Sequence, residues 1–221
     1  MDVSSEPRPW EHQNRDDQQR ALAGFMPRDE YLESRECLAT ELVDLFGLDA
    51  TKRGFEIGSG EGIVARELSP HCAILDCTDI SRTFLEWARE TCQSCKNVRF
   101  HLINQGYLDF LPEQVYDFGF SANVFIHFDL YRIYYYLQSV RRRLKSGGRF
   151  FFTGATLGEK TLDLFRIFAD EYAKTHEVHH GFMQWNDLES LRFVIAEAGL
   201  DLLEEKSENF GGHLRILVQR P

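Results

Sequence analysis

The sequence predicts a doubly wound α/β domain in which a mostly parallel sheet carries helices on both faces. Short apolar runs typical of strands alternate with longer runs whose apolar residues recur at helical spacing. A glycine-rich turn follows the first of these strands, and two consecutive strands close the chain. Because parallel strands need a crossover connection, the alternation favours a parallel sheet. The closing pair favours an antiparallel C-terminal hairpin at one edge.

The boundaries of the predicted elements follow from capping and stop signals. Ser81 is expected to cap a helix, because its hydroxyl can accept from an open N–H of the first turn. Gly47 and the pair Gly147-Gly148 are expected to end helices. The predicted helices cover residues 28–46, 64–68, 81–90, 129–144, 161–173 and 186–198, and the predicted strands cover residues 53–57, 73–78, 98–103, 116–121, 149–153, 199–204 and 213–219.

Length and composition favour one domain. The 221 residues, 43% of them apolar, are enough for one well-packed α/β domain and few for two. We expect residues 28–221 to form that domain. The polar residues 1–27 are expected to form an N-terminal arm or a lid.

The charge balance argues against a nucleic-acid partner. With 25 basic and 35 acidic residues the net charge is −10, whereas a phosphate backbone is usually met by a basic patch. The dense basic run lies near the end of a predicted helix, where cations complement the helix dipole. A small-molecule partner is therefore expected. That run consists of Arg141, Arg142, Arg143 and Lys145.

The sequence also predicts a cytoplasmic protein with no membrane partner. No stretch approaches the ~18 apolar residues that a membrane span needs, and the polar N-terminus lacks the apolar core of a signal peptide. The five cysteines are odd in number and have no framework spacing, as is typical of reduced thiols. Cys92 and Cys95 form a C-x-x-C pair, but two thiols are too few for a zinc site, and we expect them to be structural.

The glycine-rich turn Phe55-Glu-Ile-Gly-Ser-Gly-Glu-Gly-Ile63 carries the main functional signal. Glycines there let the backbone turn sharply and approach a ligand closely. In a doubly wound sheet, ligands bind beyond the carboxyl ends of the strands. A turn of this kind alone indicates only a nucleotide-like ligand.

Three details distinguish this turn from a dinucleotide site. Ile63 stands where a dinucleotide-binding helix has its third small residue. Glu56 lies two residues before Gly58, where a carboxylate suits a cationic ligand group and repels a pyrophosphate. Asp79 ends the second strand, 21 residues after Gly58, where a carboxylate can bind ribose hydroxyls. The alternative role for Asp79 is a helix cap in competition with Ser81.

The sequence closely resembles the class I (seven-stranded) S-adenosylmethionine-dependent methyltransferases over about residues 28–220. The run Glu56-Ile-Gly-Ser-Gly-Glu-Gly62 looks like the first motif of that family, and Thr78-Asp-Ile-Ser81 like its acidic second motif. Tyr116-Asp-Phe-Gly-Phe-Ser-Ala-Asn-Val-Phe-Ile-His127 is similar to the strand-four motif, and Leu144-Lys-Ser-Gly-Gly-Arg149 to the turn before strand five. The resemblance implies a seven-stranded sheet whose last strand is reversed.

The resemblance also implies S-adenosylmethionine as cofactor, with S-adenosylhomocysteine as product. Glu56 would orient the amino-acid end, Asp79 would bind both ribose hydroxyls, and Ile80 would lie against the adenine. Many family members have an acidic residue after strand three, near the adenine amino group. Alignment of Asp109-Phe-Leu-Pro112 puts Gly106 at that position, so adenine recognition would fall to its neighbours or to backbone groups. The full implied cofactor set is Glu56, Gly58, Ser59, Gly60, Asp79, Ile80, Gln105, Gly106, Tyr107 and Asn123.

Two histidines are the candidate catalytic residues. A hydroxyl or ammonium acceptor must lose a proton, and histidine is the usual base near neutral pH. His127 follows strand four at the cofactor edge, and a structural role for it stays open. His180 lies with His176 and His179 in a segment that can be a substrate wall or a surface loop. The adjacent pair would point apart on a strand and no Asp pair is near, so no metal is expected.

The sequence therefore predicts methyl transfer to an oxygen or nitrogen atom of a small-molecule acceptor. One alternative is a methyltransferase-like binding partner that has lost catalysis. The other is an NAD-dependent oxidoreductase, which Ile63 and Glu56 argue against. The acceptor and the oligomeric state have no signal in the sequence.

Overall fold

The computed structural model describes residues 26–103, 108–178, 181–207 and 213–221. The seven strands within this part of the chain form one mixed, mostly parallel sheet with helices around it, as predicted. The fold divides into two compact units, the first ending at residue 106 and the second beginning at residue 107. The predicted arm, residues 1–27, falls almost entirely outside the described residues.

The first unit carries three parallel strands in the spatial order β3-β2-β1. In the register of the first pair, Glu56 lies opposite Cys77. Both β1 and β2 are buried along nearly their whole length, as is usual for the central strands of a parallel sheet. The elements are α1 (Arg28–Phe46), β1 (Arg53–Ile57), α2 (Ile63–Leu68), β2 (Ile74–Asp79), α3 (Arg82–Thr91) and β3 (Val98–Leu102), with a 3-10 turn over Ser69–His71.

Local signals explain where these helices begin and end. Helix α1 ends at Gly47, whose left-handed backbone (φ 57°) lets its N–H reach the carbonyl of Asp44. Helix α3 begins after Ser81, which accepts from the N–H of Phe84 at 3.1 Å and so confirms the predicted cap. Its buried face includes Ala88, which packs against the start of α2.

The second unit combines a parallel pair with an antiparallel edge. Strands β4 and β5 are parallel, while β7 runs antiparallel to both β5 and β6. The predicted C-terminal hairpin is thereby confirmed. The elements are β4 (Tyr116–Ser121), α4 (Leu130–Arg143), β5 (Leu144–Ala155), α5 (Leu162–Thr175), α6 (Leu188–Glu197), β6 (Asp201–Ser207) and β7 (His213–Gln219), with 3-10 turns over Phe125–His127 and Glu159–Thr161.

Aromatic side chains fill the core of the second unit. The ring of Phe125 lies 4.9 Å from that of Phe152 and 5.9 Å from that of Phe150. Phe118 and Phe120 on β4 are also fully buried. Five such rings in contact or in adjacent strands exclude a large apolar area from water, which stabilises the fold. They also fix the turn after β4 that holds His127.

The largest boundary error is at the start of β5. The strand was expected to begin at Arg149, after a stop at Gly147-Gly148, but Leu144 is already extended (φ −68°, ψ 145°) and begins β5. The N–H of Gly147 donates to the carbonyl of Arg220 at 2.8 Å, and Arg220 donates to the carbonyl of Gly148 at 2.9 Å. These bonds to the end of the chain draw the glycine pair into the strand.

The basic run at this junction is structural. Arg143 is 3% exposed, and its guanidinium donates to the carbonyl of Leu111 at 2.6 Å and to Asp109 at 2.9 Å. Arg142 donates to the same carboxylate, Arg141 to the carbonyl of Gly199, and Lys145 to Asp117. Lys145 lies in β5 and not at the end of the helix, which corrects that part of the prediction. Within the described residues, no helix combines the length and the apolar character needed to cross a membrane.

Candidate functional site

The glycine loop after β1 folds back onto the end of β2. The N–H groups of Gly58 and Ser59 both donate to the carbonyl of Thr78, at 2.8 and 3.0 Å. Gly58 and Gly60 have φ values of 78° and 51°, in the left-handed region that favours glycine. The sequence folds this way because side chains at these positions would strain the backbone. The loop therefore places a run of peptide groups at the carboxyl end of two neighbouring strands.

The carboxylate of Asp79 fixes this loop. Its Oδ2 accepts from the N–H of Gly60 at 2.9 Å, and its Oδ1 accepts from the N–H of Ser81 at 2.9 Å. The side chain is 6% exposed. The bond to Ser81 at the start of α3 agrees with the capping role that the sequence left open for Asp79. Its ribose role stays a prediction.

Glu56 is a buried acid in the middle of the site, 4% exposed. The pKa of its carboxyl is raised to about 8, chiefly by burial and also by the charge of Asp79, while a hydrogen bond with Cys77 and the charge of Arg35 act in the opposite direction. Within the described residues its Oε2 has no hydrogen-bond partner. A buried acceptor left open in this way is unfavourable unless a donor arrives. The cationic amino end of S-adenosylmethionine is a donor of the required charge, so the residues fit this cofactor.

The other predicted cofactor residues are divided between described and undescribed parts of the chain. Ser59 is 7% exposed, and its hydroxyl is a second buried atom with no partner among the described residues. Ile80 is half-buried directly after Asp79. Gln105, Gly106 and Tyr107 lie outside the described residues. The first unit thus brings together Glu56, Gly58, Ser59, Gly60, Asp79 and Ile80.

Gly62 serves packing, a role that the sequence did not indicate. A Cβ at this position would lie 3.0 Å from both Cα and Cβ of Ala88 and 3.2 Å from its carbonyl oxygen. Gly62 also has φ 76°, and its carbonyl accepts from the thiol of Cys92 at 3.3 Å. The third glycine of the loop therefore lets the start of α2 approach α3. The spacing of the glycines was visible in the sequence, but the approach of Ala88 was not.

In the second unit, Asn123 marks a sharp corner after β4. It has φ 59°, a conformation that Asn tolerates better than most residues. Its N–H donates to the hydroxyl of Thr153 on β5 at 2.7 Å. This bond fixes the backbone of the corner. Its predicted contact with the cofactor stays a prediction.

His127 lies four residues further on, in the 3-10 turn over Phe125–His127. Its Nδ1 lies 3.1 Å from the carbonyl oxygen of Phe182. A carbonyl only accepts, so Nδ1 carries the proton and Nε2 is the basic nitrogen of the neutral ring. Burial lowers the pKa of His127, although the bond to Phe182 opposes this. The ring is therefore neutral at physiological pH, which is the form that a general base requires.

The segment after α5 is pinned beside this turn. The N–H of Gln184 donates to the carbonyl of Ile126 at 2.8 Å, and the side chain of Asn186 donates to the carbonyl of Phe128 at 3.0 Å. The ring of Phe182 packs on that of Phe168 from α5, with centroids 5.0 Å apart. Leu164, Phe168 and Trp185 pack against a cluster of Ile126, Ala155 and Met183. The sequence placed covering elements near here but did not single out Phe182 or Asn186. His180 lies outside the described residues.

The cysteines are structural, as expected. All five are free thiols, and three of them are buried. Burial raises the pKa of Cys92 to about 12, so it is protonated and unreactive at neutral pH. Cys95 accepts a hydrogen bond from the hydroxyl of Ser69 at 3.1 Å. In the described part of the chain, no three His, Cys, Asp or Glu side chains are grouped so as to hold a metal ion.

Residues 55–152 match the family model described as a methyltransferase domain. This span begins beside Glu56 and ends in β5, so it contains the glycine loop, Asp79 and His127. Over this span the chain is similar to the class of S-adenosylmethionine-dependent methyltransferases. No curated protein is similar enough in sequence to be matched to this chain.

Solved structures of similar fold agree with this class. Magnesium protoporphyrin IX methyltransferase from Synechocystis, determined with bound S-adenosylhomocysteine, has a TM-score of 0.69 at 16% identity, covering 93% of this chain and 94% of its own. Geranyl diphosphate C-methyltransferase from Streptomyces coelicolor has a TM-score of 0.66 at 13% identity, covering 91% and 86%. A putative methyltransferase of Haloferax volcanii, in complex with a methyltransferase activator, has a TM-score of 0.67 at 17% identity, covering 91% and 96%. The chain has the fold of the class I methyltransferases, and the predicted resemblance is confirmed.

Proposed function

We propose that the protein transfers the methyl group of S-adenosylmethionine to an oxygen or nitrogen atom of a small-molecule acceptor and releases S-adenosylhomocysteine. The observation that carries the proposal is the buried carboxyl of Glu56, whose Oε2 has no partner among the described residues. It lies next to the glycine loop that Asp79 holds in place. A buried acid beside a glycine loop suits a ligand with a cationic end.

In the proposed site each residue has a binding role. Glu56 accepts from the ammonium group of the cofactor, and the carboxylate of Asp79 accepts from the ribose hydroxyls. Gly58, Ser59 and Gly60 approach the amino-acid end through the backbone, and Ile80 covers one face of the adenine. When bound, the cofactor supplies a sulfonium group that is itself a strong methyl donor, so positioning of the acceptor provides much of the rate. Gln105, Gly106, Tyr107 and Asn123 complete the proposed set.

His127 is the proposed general base. Its Nδ1–H bond to Phe182 orients the ring, and its lowered pKa keeps Nε2 able to take a proton from a hydroxyl or ammonium acceptor. His180 is the second candidate for this role. The aromatic groups nearby (Phe168, Phe182 and Trp185) support a small acceptor with an apolar part.

Two alternatives concern the acceptor and the loss of catalysis. A relative of similar fold methylates a carbon atom of geranyl diphosphate, and such a reaction would make a base at His127 less important. A binding partner without catalysis would keep the cofactor site and transfer no methyl group. The match to a methyltransferase family model argues against the NAD-dependent oxidoreductase. The five free thiols support a cytoplasmic site of action.

Calorimetric titration of the full chain tests the cofactor assignment. S-adenosylhomocysteine is expected to bind with a dissociation constant in the micromolar range, and NADH is expected not to bind. Absence of binding at millimolar S-adenosylhomocysteine would refute the proposal. Transfer of label from S-adenosyl-[methyl-14C]methionine to a panel of phenols, amines and carboxylic acids then tests the acceptor class. Labelling of carbon acceptors alone would overturn the O- or N-transfer.

A further inference from the structure

Three buried polar atoms beside the glycine loop have no hydrogen-bond partner within the described residues. They are Oε2 of Glu56, Oγ of Ser59 and Nη1 of Arg28. The first is an acceptor, and the other two are able to donate. Each of these atoms is buried, and a buried polar atom normally has a partner. Such a combination of one open acceptor and two open donors is a specific chemical pattern.

Arg28 is held in the site by Glu61. Its Nη2 donates to Oε2 of Glu61 at 2.6 Å, and the Glu61 side chain is only 3% exposed. A buried charge-assisted bond of this length fixes the guanidinium well. Because Glu61 belongs to the glycine loop, the bond ties the first residue of α1 to that loop. The second terminal nitrogen, Nη1, has no hydrogen-bond partner in the part of the chain that the structure describes.

Tyr31 places these charges in one neighbourhood. The guanidinium groups of Arg28 and Arg35 each lie 5.3 Å from the centre of its ring. Burial raises the pKa of its hydroxyl, and the charges of Arg35, Glu61, Arg28 and Glu56 all act on it. Glu56 and Arg28, which each have an atom without a partner among the described residues, therefore both act on the hydroxyl of Tyr31. Tyr31 is a positioning residue for Arg28.

The pattern matches the amino-acid end of the cofactor. That end carries an ammonium and a carboxylate on one carbon atom, so it needs an acceptor for the first and donors for the second. We propose that Arg28 binds the carboxylate of S-adenosylmethionine through Nη1, with the Ser59 hydroxyl as a second donor, while Glu56 binds the ammonium. This inference rests on the proposed cofactor site and adds a specificity-determining residue from α1, which lies outside the matched span of 55–152.

The experiment compares two ligands on the full chain by calorimetry. One is S-adenosylhomocysteine, and the other is its decarboxylated analogue, which keeps the ammonium and lacks the carboxylate. The wild-type protein should bind the first about 10- to 100-fold more tightly, as expected for a charge-assisted hydrogen bond. In Arg28→Met this ratio should fall to within about threefold, because the variant has lost the group that distinguishes the ligands.

Matched variants separate this role from a structural one. Arg35→Met removes the other cation on the ring of Tyr31 and should keep the wild-type ratio. Glu56→Gln should weaken both ligands and also keep the ratio. Arg28→Lys keeps a charge and should give an intermediate ratio. Since both ligands need the same folded protein, a partly unfolded variant lowers both affinities and leaves the ratio informative.

The outcomes distinguish the cofactor assignment from the role of Arg28. If the wild-type protein binds neither ligand, the cofactor assignment itself fails. If it binds both equally well, or if Arg28→Met keeps the wild-type ratio, the cofactor assignment stands and the role of Arg28 is refuted. A ratio that falls in Arg28→Met and is kept in Arg35→Met supports the inference.

Discussion

The Oδ2 atom of Asp79 accepts a hydrogen bond from the N–H of Gly60 at 2.9 Å. The residue proposed to bind the ribose thus also shapes the loop proposed to bind the amino-acid end. A substitution at this position changes both at once. Asn in place of Asp79 keeps one acceptor oxygen, whereas Ala keeps none. A comparison of the two variants therefore helps to distinguish the two effects.

Asp79→Asn and Asp79→Ala should both weaken S-adenosylhomocysteine binding with the fold preserved. The amide can still accept from Ser81, but one of its two positions now donates and cannot receive the N–H of Gly60. We expect a loss of about 10- to 100-fold for the amide and a larger one for alanine. Calorimetry gives the affinities, and far-UV circular dichroism serves as the control of folding. Unchanged affinity in both variants would refute the ribose assignment.

Cofactor binding should release a proton through Glu56. In the empty site its pKa is raised to about 8, so the carboxyl is largely protonated at pH 7. An ammonium group beside it favours the ionised form, and binding then drives the proton off. The affinity for S-adenosylhomocysteine should therefore rise between pH 6 and about 8 and level off above.

Calorimetry in two buffers of different ionisation enthalpy measures this proton directly. At pH 7 the wild-type protein should release between half a proton and one proton on binding, and Glu56→Gln should release none. Equal proton release in both proteins would place the titrating group elsewhere. A fall in affinity between pH 6 and 8 would contradict the pairing of Glu56 with a cation.

Gly62→Ala should destabilise the protein more than Gly47→Ala. Both glycines have left-handed backbones, with φ values of 76° and 57°. A Cβ at position 47 meets nothing within 4 Å, whereas one at position 62 meets Ala88 at 3.0 Å. We expect a loss of about 1 kcal/mol in unfolding free energy at position 47 and roughly 2–4 kcal/mol at position 62.

Urea denaturation without ligand checks this difference. The matched pair separates backbone strain, which both variants share, from the clash with Ala88, which only one has. Equal losses in the two variants would mean that α2 and α3 have room to move apart.

His127→Gln should slow methyl transfer and leave cofactor affinity unchanged. Loss of a general base lowers the rate by about 10²- to 10⁴-fold for a hydroxyl acceptor. Because the pKa of His127 is lowered from 6.5, the acidic limb of the wild-type rate should lie below pH 6.5. That limb should be absent from the variant. Rate measurements with a labelled cofactor follow both effects.

The control for this variant is His71→Gln, since His71 is exposed at the end of the 3-10 turn after α2. Its rate and its pH profile should match those of the wild-type protein. A normal rate in His127→Gln would exclude that histidine as the base and leave His180 as the remaining candidate.

The sequence predicted the loop and its two acids better than the groups around them. β1, β4 and β7 have the predicted bounds. Glu56 and Asp79 were visible because they lie at fixed distances from the glycines. Glu61 lies within the same loop, yet its bond to Arg28 spans 33 residues. Such partners are chosen by tertiary packing, which leaves no local pattern.

The same limit explains the errors at β5 and the omission near His127. The strand begins at Leu144 because Arg220, at the other end of the unit, pairs with Gly147 and Gly148. The carbonyl of Phe182 reaches His127 across 55 residues. Arg220 and Phe182 both take part through backbone groups, so these contacts do not depend on the type of side chain at either position. Residue identities alone therefore carry no record of them.

The buried acid of Glu56 makes the stability of the protein depend on pH when no cofactor is bound. Its folded pKa of about 8 lies above the ordinary value of 4.5, so its contribution to the free energy of unfolding is full below pH 4.5 and is lost as the pH rises through about 8. At pH 9 only a ligand with a positive charge can compensate for that loss. Melting curves at pH 6 and pH 9 would therefore distinguish cationic from neutral nucleosides. The rise in melting temperature caused by a cationic ligand should be larger at pH 9 than at pH 6, and that caused by a neutral ligand should not.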